Sequence, residues 1–230
     1  MTRTPRDVAA TIEHTLLKPE ATVEQIDALV DEAIEYEFVG VCVNPVHVAR
    51  AVKRLEKRRQ VPRIVTAVGF PLGATRTDTK ADEARRALDD GATDIDMVAN
   101  IGALVSSDQT AVRQEIETLA RIVHQASGGR VLKVILETTA LTEERIILGC
   151  RCCAEGEADF VKTSTGFHPT GGATVEHVRL LHRFASPIPV KASGGIRTAD
   201  AALALLDAGA ARLGTSAGVA ILAELTARSA

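Results

Sequence analysis

Short apolar runs alternate with longer segments of helical periodicity along the whole chain. Eight runs are predicted strands: Thr11–Thr15, Val39–Asn44, Arg63–Gly69, Asp94–Ala99, Val131–Glu137, Asp159–Ser164, Ile188–Ser193 and Ala211–Gly214. Seven segments are predicted helices: Val23–Tyr36, Lys80–Leu88, Ala111–Gln125, Glu143–Ala154, Val175–Phe184, Ala199–Leu206 and Ala217–Leu225. In these seven segments apolar residues recur every three or four positions, as on one face of an α-helix.

Eight strand–helix units, with no linker of distinct composition between them, predict one (β/α)8 TIM barrel domain over residues 1–230. An open, doubly wound α/β sheet is the alternative. That fold would carry a G-x-G-x-x-G motif after its first strand, and the sequence has no such motif there. The barrel is therefore the favoured architecture.

Composition excludes several classes of function. With 46% hydrophobic and 25% charged residues, the chain has the balance of a globular protein. A net charge of −3 and 3% aromatic residues give no reason to expect a nucleic acid or a membrane as partner. No apolar run approaches the ~20 residues of a membrane span, and we expect no secretory signal. Four cysteines are too few for a disulfide framework, so we expect a reducing cytoplasm.

The predicted strands carry charges where a barrel interior is normally apolar. Side chains along a barrel strand alternate between the interior and the helix layer. With the apolar set under the helices, the other set points to the barrel axis: Asp96, Lys133, Glu137, Lys162 and Lys191. A structural barrel would place Val, Ile and Leu there, and buried charges are costly unless they pair. The charged interior therefore indicates a functional site.

Lys162 and Lys191 lie 29 positions apart, one strand–helix unit, near the ends of neighbouring strands. Two close, desolvated ammonium groups lower each other's pKa, which favours a neutral amine. Such an amine can attack a carbonyl to form a Schiff base, and Asp96 could move the protons. The alternative is a structural network in which one lysine pairs with Asp96 and the other with Glu137.

Seven motifs then carry a resemblance to a known family. They are IEHTLLKP at 12–19, VCVNP at 41–45, VGFPLG at 68–73, DIDMV at 94–98, LKVILET at 132–138, FVKTSTGF at 160–167 and VKASGGIRT at 190–198. On these motifs the chain, from about Ile12 to Leu222, resembles the deoxyribose-phosphate aldolases.

The resemblance implies a class I aldolase that needs no metal and no other cofactor. Its substrate would be 2-deoxy-D-ribose 5-phosphate, cleaved reversibly to D-glyceraldehyde 3-phosphate and acetaldehyde. The Schiff-base lysine of the family falls on Lys162, the lysine that perturbs it on Lys191, and the proton-relay carboxylate on Asp96. Lys133 and Glu137 would support this polar network. Members of the family are commonly homodimers or homotetramers.

Phosphate binding has a separate basis in the loops. Barrels often hold phosphate with the loops after strands 7 and 8, where backbone N–H groups and a helix N-terminus meet the anion. The candidates are Gly194 and Gly195 after strand 7, Gly214, Thr215 and Ser216 after strand 8, and Thr165 and Gly166 after strand 6. The alternative is that these glycines serve only tight turns and helix starts.

The chain departs from the family pattern at two motif positions. Glu13 stands where Asp is usual. Its side chain is longer by one methylene group, so its carboxylate lies at a different position, and we expect a supporting role. Some members have a cation at the position of Phe167, which this chain lacks. Some also end in a tail tyrosine near the substrate, whereas the single tyrosine here is Tyr36.

The cysteines fit packing better than metal binding. Cys150, Cys152 and Cys153 lie in a predicted helix and have no partnering Cys/His pair, so we expect them to be buried packing residues. Cys42 lies on the face of its predicted strand that points to the barrel axis. This predicts a position near the pocket, where its thiol could react with electrophilic aldehydes.

Two other functions stay open at this point. One is a different phosphosugar enzyme on the same barrel, such as another lysine aldolase or an isomerase. The other is a catalytically dead barrel that binds a phosphosugar. The intact set of Lys162, Lys191 and Asp96 argues against the dead barrel, because a buried lysine pair costs stability.

Overall fold

A computed structural model of the protein describes residues 3–56, 58 and 61–229. Eight parallel strands form a closed barrel in the order β1 to β8. The strands are β1 Ile12–Leu16, β2 Gly40–Val43, β3 Arg63–Val68, β4 Asp94–Val98, β5 Val131–Ile135, β6 Phe160–Lys162, β7 Val190–Ser193 and β8 Ala210–Thr215. The predicted (β/α)8 barrel is thus confirmed, and each predicted strand end lies within two residues of the observed one.

Ten α-helices are found in the described residues. They are α1 Pro5–Ala9, α2 Val23–Glu35, α3 Val48–Leu55, α4 Thr77–Asp89, α5 Ile101–Val105, α6 Gln109–Gln125, α7 Glu143–Glu155, α8 Val175–Phe184, α9 Ala199–Asp207 and α10 Gly218–Ser229. A short 3-10 turn at Pro45–His47 precedes α3, and another at Thr138–Ala140 follows β5.

All seven helices predicted with bounds are present, together with three helices for which no bounds were predicted. Two of these, α1 and α5, have five residues each, too few to display a period. The third, α3, buries Val48, Ala51 and Leu55 at the expected spacing between charged residues. Helix α4 begins three residues before its predicted start because its first turn, Thr77–Thr79, is polar.

The main hydrophobic core lies between the strands and the surrounding helices. A second, smaller apolar cluster lies inside the barrel, where Cys42, Val65 and Ala67 of β2 and β3 pack with Leu17. The rest of the interior, toward β4–β7 and β1, is occupied by charged side chains. The barrel interior therefore has an apolar side and an ionic side. Among the described helices, none has the length and apolar character needed to cross a bilayer.

Candidate active site

Six charged side chains meet inside the barrel, and each has at most 3% of its surface exposed. They are Glu13, Asp94, Asp96, Lys133, Lys162 and Lys191. The strand register brings them together, since Asp96 is the partner of Lys133 and Lys162 is the partner of Lys191 on neighbouring strands. Because side chains of register partners point to the same face of a sheet, the alternation predicted for Asp96 and these three lysines is observed.

Asp96 lies at the centre of this ionic cluster. Its Oδ2 accepts hydrogen bonds from Lys162 Nζ at 2.7 Å and Lys191 Nζ at 2.5 Å, and its Oδ1 accepts one from Lys133 Nζ at 3.2 Å. Burial alone would raise the pKa of Asp96, but the charges of the three lysines hold that pKa well below its ordinary value. Asp96 is therefore held as a carboxylate, in contact with all three amines.

The pKa values of the two lysines on Asp96 Oδ2 shift in opposite directions. Burial, aided by the charge of Lys191, lowers the pKa of Lys162, although Asp96 opposes this shift. For Lys191 burial acts in the same direction, but Asp96 and Glu13 outweigh it and raise its pKa. Lys191 is consequently the more firmly protonated lysine of the pair, and Lys162 is the one that loses its proton more readily.

Glu13 has a more central position than the sequence predicted. Its carboxylate accepts a hydrogen bond from Lys191, and its Oε1 lies 3.4 Å from Lys133 Nζ. Its side chain is fully buried. The longer side chain thus lets one carboxylate face two lysines at once, which explains how a glutamate fits at this position.

A cavity of about 290 Å³ opens at the carboxyl ends of the strands, above the ionic cluster. Lys162 and all seven predicted phosphate-loop residues line it: Thr165, Gly166, Gly194, Gly195, Gly214, Thr215 and Ser216. Lys191, Asp96, Lys133 and Glu13 are not among its lining residues and lie deeper in the barrel. Of the three buried lysines in the cluster, Lys162 is the one that faces the cavity.

Glycine is required where the loops after β6 and β7 approach each other. Gly194 has a φ of +94°, and a Cβ atom there would lie 2.9 Å from Gly172 Cα and 3.1 Å from Gly166 Cα. Thr215 joins the next loop to this pair, since its hydroxyl donates to the Ile196 carbonyl at 2.6 Å and accepts from the Ala217 N–H at 2.9 Å. The three loops therefore form one connected cradle.

Glu137 does not join the lysines, contrary to the prediction. Strand β5 ends at Ile135, so the alternation of side chains stops before this residue, and Glu137 itself has a left-handed φ of +56°. Its buried carboxylate instead accepts hydrogen bonds from the Thr165 N–H at 3.2 Å and from the Thr165 hydroxyl. The structural alternative that paired a lysine with Glu137 is therefore wrong, and Glu137 anchors the loop after β6.

Cys42 has the predicted inward orientation but not the predicted access. It is 1% exposed and absent from the cavity lining. Burial raises the pKa of its thiol to about 11, so the reactive thiolate is scarce at neutral pH. The structure therefore does not support the expected reaction of Cys42 with aldehydes.

The other cysteines are packing residues, as predicted. Cys150, Cys152 and Cys153 are fully buried in α7, against the main core. In the part of the chain that the structure describes, no group of three or more His, Cys, Asp or Glu residues is arranged to hold a metal ion.

Two cations at the cavity were missed by the sequence reasoning. Lys18 follows β1 and Arg197 follows β7, and both are exposed residues that line the cavity. The signal that could have found them is their position just after the carboxyl ends of barrel strands, where TIM-barrel sites are built. They supply positive charge at a cavity where Phe167 has none.

Comparisons with known proteins agree with this geometry. A family model described as DeoC/LacD family aldolase matches residues 8–224. Over 217 residues the chain is 52% identical to the deoxyribose-phosphate aldolase of Thermococcus gammatolerans, covering 94% of this chain and 95% of the relative. Over 212 residues it is 50% identical to that of Brevibacillus brevis, covering 92% and 93%.

A solved structure, described as the tetrameric deoxyribose phosphate aldolase of Aeropyrum pernix, superposes with a TM-score of 0.90 at 34% identity. The match covers 98% of this chain and 93% of that one. The resemblance drawn from the seven motifs is confirmed, and the chain belongs to the DeoC/LacD family of aldolases.

Proposed function

We propose that the protein reversibly cleaves 2-deoxy-D-ribose 5-phosphate to D-glyceraldehyde 3-phosphate and acetaldehyde through a Schiff base on Lys162. The observation that carries this proposal is the position of Lys162, whose amine lies between the ionic cluster and a cavity lined by glycine-rich loops. The names of the relatives support the choice of substrate.

Imine formation would begin with the neutral amine of Lys162. The Nζ atom attacks C1 of the open-chain sugar and gives a carbinolamine. A proton delivered to the C1 hydroxyl lets it leave as water, and the product is a cationic imine. The Lys191 ammonium is the proton donor next to this site, and Asp96 lies between the two amines at 2.5 and 2.7 Å.

Carbon–carbon cleavage would follow from the cationic imine. Asp96, directly or through one water, accepts the C3 hydroxyl proton. The C2–C3 bond breaks, its electron pair moves toward the imine to form an enamine, and C3 becomes the aldehyde of glyceraldehyde 3-phosphate. Protonation of C2 and hydrolysis of the imine then release acetaldehyde and regenerate the Lys162 amine.

The phosphate group would bind in the loop cradle. Backbone N–H groups near Gly194 and Gly195 and the hydroxyls of Thr215 and Ser216 are suitable donors for an anion. Lys18 and Arg197 would add the positive charge that Phe167 does not provide. This arrangement favours a phosphorylated substrate over the free sugar.

Product analysis tests the proposal. The protein is incubated with 2-deoxyribose 5-phosphate, and glyceraldehyde 3-phosphate and acetaldehyde are quantified separately. We expect equal amounts of both products from the wild type and none from Lys162→Met. Tight binding of the sugar phosphate without products would instead favour the phosphosugar-binding barrel, and an isomerised pentose phosphate would favour another enzyme.

We also propose a homo-oligomer, either a dimer or a tetramer, in a reducing cytoplasm. The oligomer is supported by the relative from Aeropyrum pernix, whose structure is described as tetrameric. The compartment is supported by four cysteines that are all buried and free. Sedimentation velocity at micromolar concentration tests the assembly, and a monomer there would contradict it.

A further inference from the structure

The ionic cluster extends to the opposite end of the barrel. Arg63, the first residue of β3, pairs with the carboxylate of Asp94. Asp94 Oδ2 in turn accepts a hydrogen bond from Lys133 Nζ at 2.5 Å, and Lys133 lies 3.2 Å from Asp96 Oδ1. Cations and carboxylates therefore alternate without a break from Arg63 to Lys162.

Each charged group along this path has defined neighbours. The Arg63 side chain is 32% exposed, and its Nη2 also donates to the carbonyls of Thr93 and Gly129. Lys133 faces Asp94 and Asp96 from β4 and Glu13 from β1, with Lys191 of β7 acting electrostatically. The Nζ atom of Lys133 also lies 5.9 Å from the centre of the Phe160 ring. The guanidinium group of Arg212, a half-buried residue of β8, lies at the same distance from that ring.

A count of charges shows why Arg63 matters. The interior holds three carboxylates, Glu13, Asp94 and Asp96, and three lysines, Lys133, Lys162 and Lys191. These six groups are neutral in sum when Lys162 is an ammonium and carry one negative charge when Lys162 is an amine. Net charge in a buried cluster is costly, so the six groups alone favour the protonated form of Lys162.

Arg63 changes this balance because it is a fourth cation in contact with the third carboxylate. With Arg63 included, the groups joined by ion pairs carry no net charge when Lys162 is an amine. Arg212 is left out of this count because, among the described residues, it forms no ion pair with these carboxylates. We propose that Arg63, at the end of the barrel opposite the cavity, is a positioning residue that favours the neutral amine of Lys162 through Asp94 and Lys133. The inference rests on the proposed function in assigning Lys162 as the nucleophile.

The direction of two substitutions follows from this charge balance. Arg63→Gln removes a positive charge. Asp94, without its arginine partner, then attracts Lys133 more strongly, and the contact between Lys133 and Asp96 weakens. Both effects raise the pKa of Lys162. Asp94→Asn removes a negative charge, and Lys133 then interacts more strongly with Asp96. Both effects lower the pKa of Lys162. A unit charge roughly 10 Å away at an effective dielectric constant of about 20 shifts a pKa by about one unit. Because Arg63 is partly exposed and solvent screens its charge, we expect the pKa of Lys162 to rise by only about half a unit in Arg63→Gln.

The experiment is an NMR titration of the Lys162 side chain in protein labelled with ¹³C-lysine. The Cε signal of Lys162 is assigned by its loss in Lys162→Met. We expect the titration midpoint to rise in Arg63→Gln, to fall in Asp94→Asn, and to stay at the wild-type value in Arg63→Lys, which keeps the charge. Arg212→Gln, which removes a nearby cation that does not pair with Asp94, should move the midpoint less than Arg63→Gln.

Several results would overturn the inference. They are an unchanged midpoint in Arg63→Gln, shifts of the same sign in Arg63→Gln and Asp94→Asn, or an equal shift in Arg212→Gln. If Arg63→Gln does not fold, Arg63→Met, which also removes the charge, takes its place with the same expected rise of the midpoint. The titration uses no substrate, so failure of the aldolase activity and failure of this inference are seen in separate measurements.

Discussion

Lys162 and Lys191 are register partners on adjacent strands, and both amines donate to the same oxygen of Asp96, at 2.7 and 2.5 Å. The second contact of Lys191, to Glu13, makes the pair unequal. Two carboxylates secure the charge of Lys191, whereas Lys162 has one carboxylate and faces the cavity. Glu13 therefore gives the two lysines unequal surroundings, and it distinguishes the proposed nucleophile, Lys162, from the proposed supporting cation, Lys191.

Removal of the supporting cation should act mainly through the charge state of Lys162. In Lys191→Met, Asp96 and Glu13 lose a cation, so the pKa of Lys162 rises and less of it is neutral at pH 7. We expect kcat/KM at pH 7 to fall about 100-fold, with partial recovery as the pH is raised. Lys191→Arg keeps the charge and should retain the wild-type pH profile. An equal loss at every pH would contradict this explanation.

Glu137 should affect the phosphorylated substrate selectively. Its carboxylate fixes the Thr165 N–H and hydroxyl, and the Thr165 hydroxyl also accepts from the Phe167 N–H at 3.1 Å. In Glu137→Ala we expect the KM for 2-deoxyribose 5-phosphate to rise about tenfold, as for the loss of a hydrogen bond to a charged group. The rate with unphosphorylated 2-deoxyribose should change little. Glu143→Gln, at the exposed start of α7, serves as the control.

Gly194 should tolerate no side chain. Alanine there would place a Cβ atom 2.9 Å from Gly172 Cα at a φ of +94°. We expect Gly194→Ala to move the loops after β6 and β7 apart and to weaken phosphate binding at least tenfold, measured by calorimetry with inorganic phosphate. Gly129→Ala is the matched control, with a φ of +63° but no atom of the described residues within 4 Å of the added carbon. It should cost about 1 kcal/mol of stability through backbone strain and leave phosphate binding unchanged.

Cys42 should make stability decline in alkaline solution. Burial raises the pKa of its thiol to about 11, compared with about 8.5 for an exposed thiol. A raised pKa contributes stability that is complete below the unfolded-state value and is lost as the pH rises through the folded-state value. The free energy of unfolding should therefore fall from about pH 8.5 to 11, and fall less steeply in Cys42→Ala. Urea titrations at several pH values measure both slopes, and identical slopes would refute the assignment.

The sequence predicted the ionic interior because two regular features determine it. Side chains alternate along a strand, and strands of a parallel barrel pair in order, so Asp96, Lys133, Lys162 and Lys191 could be assigned to one face without coordinates. The glycine-rich loops were also predictable, since strand ends define where barrel loops meet.

Other features depend on details that periodicity does not contain. Glu137 was assigned to the wrong network because β5 ends two residues earlier and a left-handed backbone turns its side chain away. The depth of Cys42 depends on how Leu17, Val65 and Ala67 fill the barrel around it. The contact between Arg63 and Asp94 involves a side chain at the barrel end, where alternation alone does not define partners.

Reductive trapping identifies the lysine that forms the Schiff base, which we expect to be Lys162. The protein is incubated with acetaldehyde, reduced with borohydride, digested and analysed by mass spectrometry. We expect an ethyl adduct on the peptide that contains Lys162, a mass increase of about 28 Da for the addition of C2H4 to an amine. The adduct should be absent in Lys162→Met. An adduct confined to Lys191, or no lysine adduct in the folded protein, would contradict this expectation.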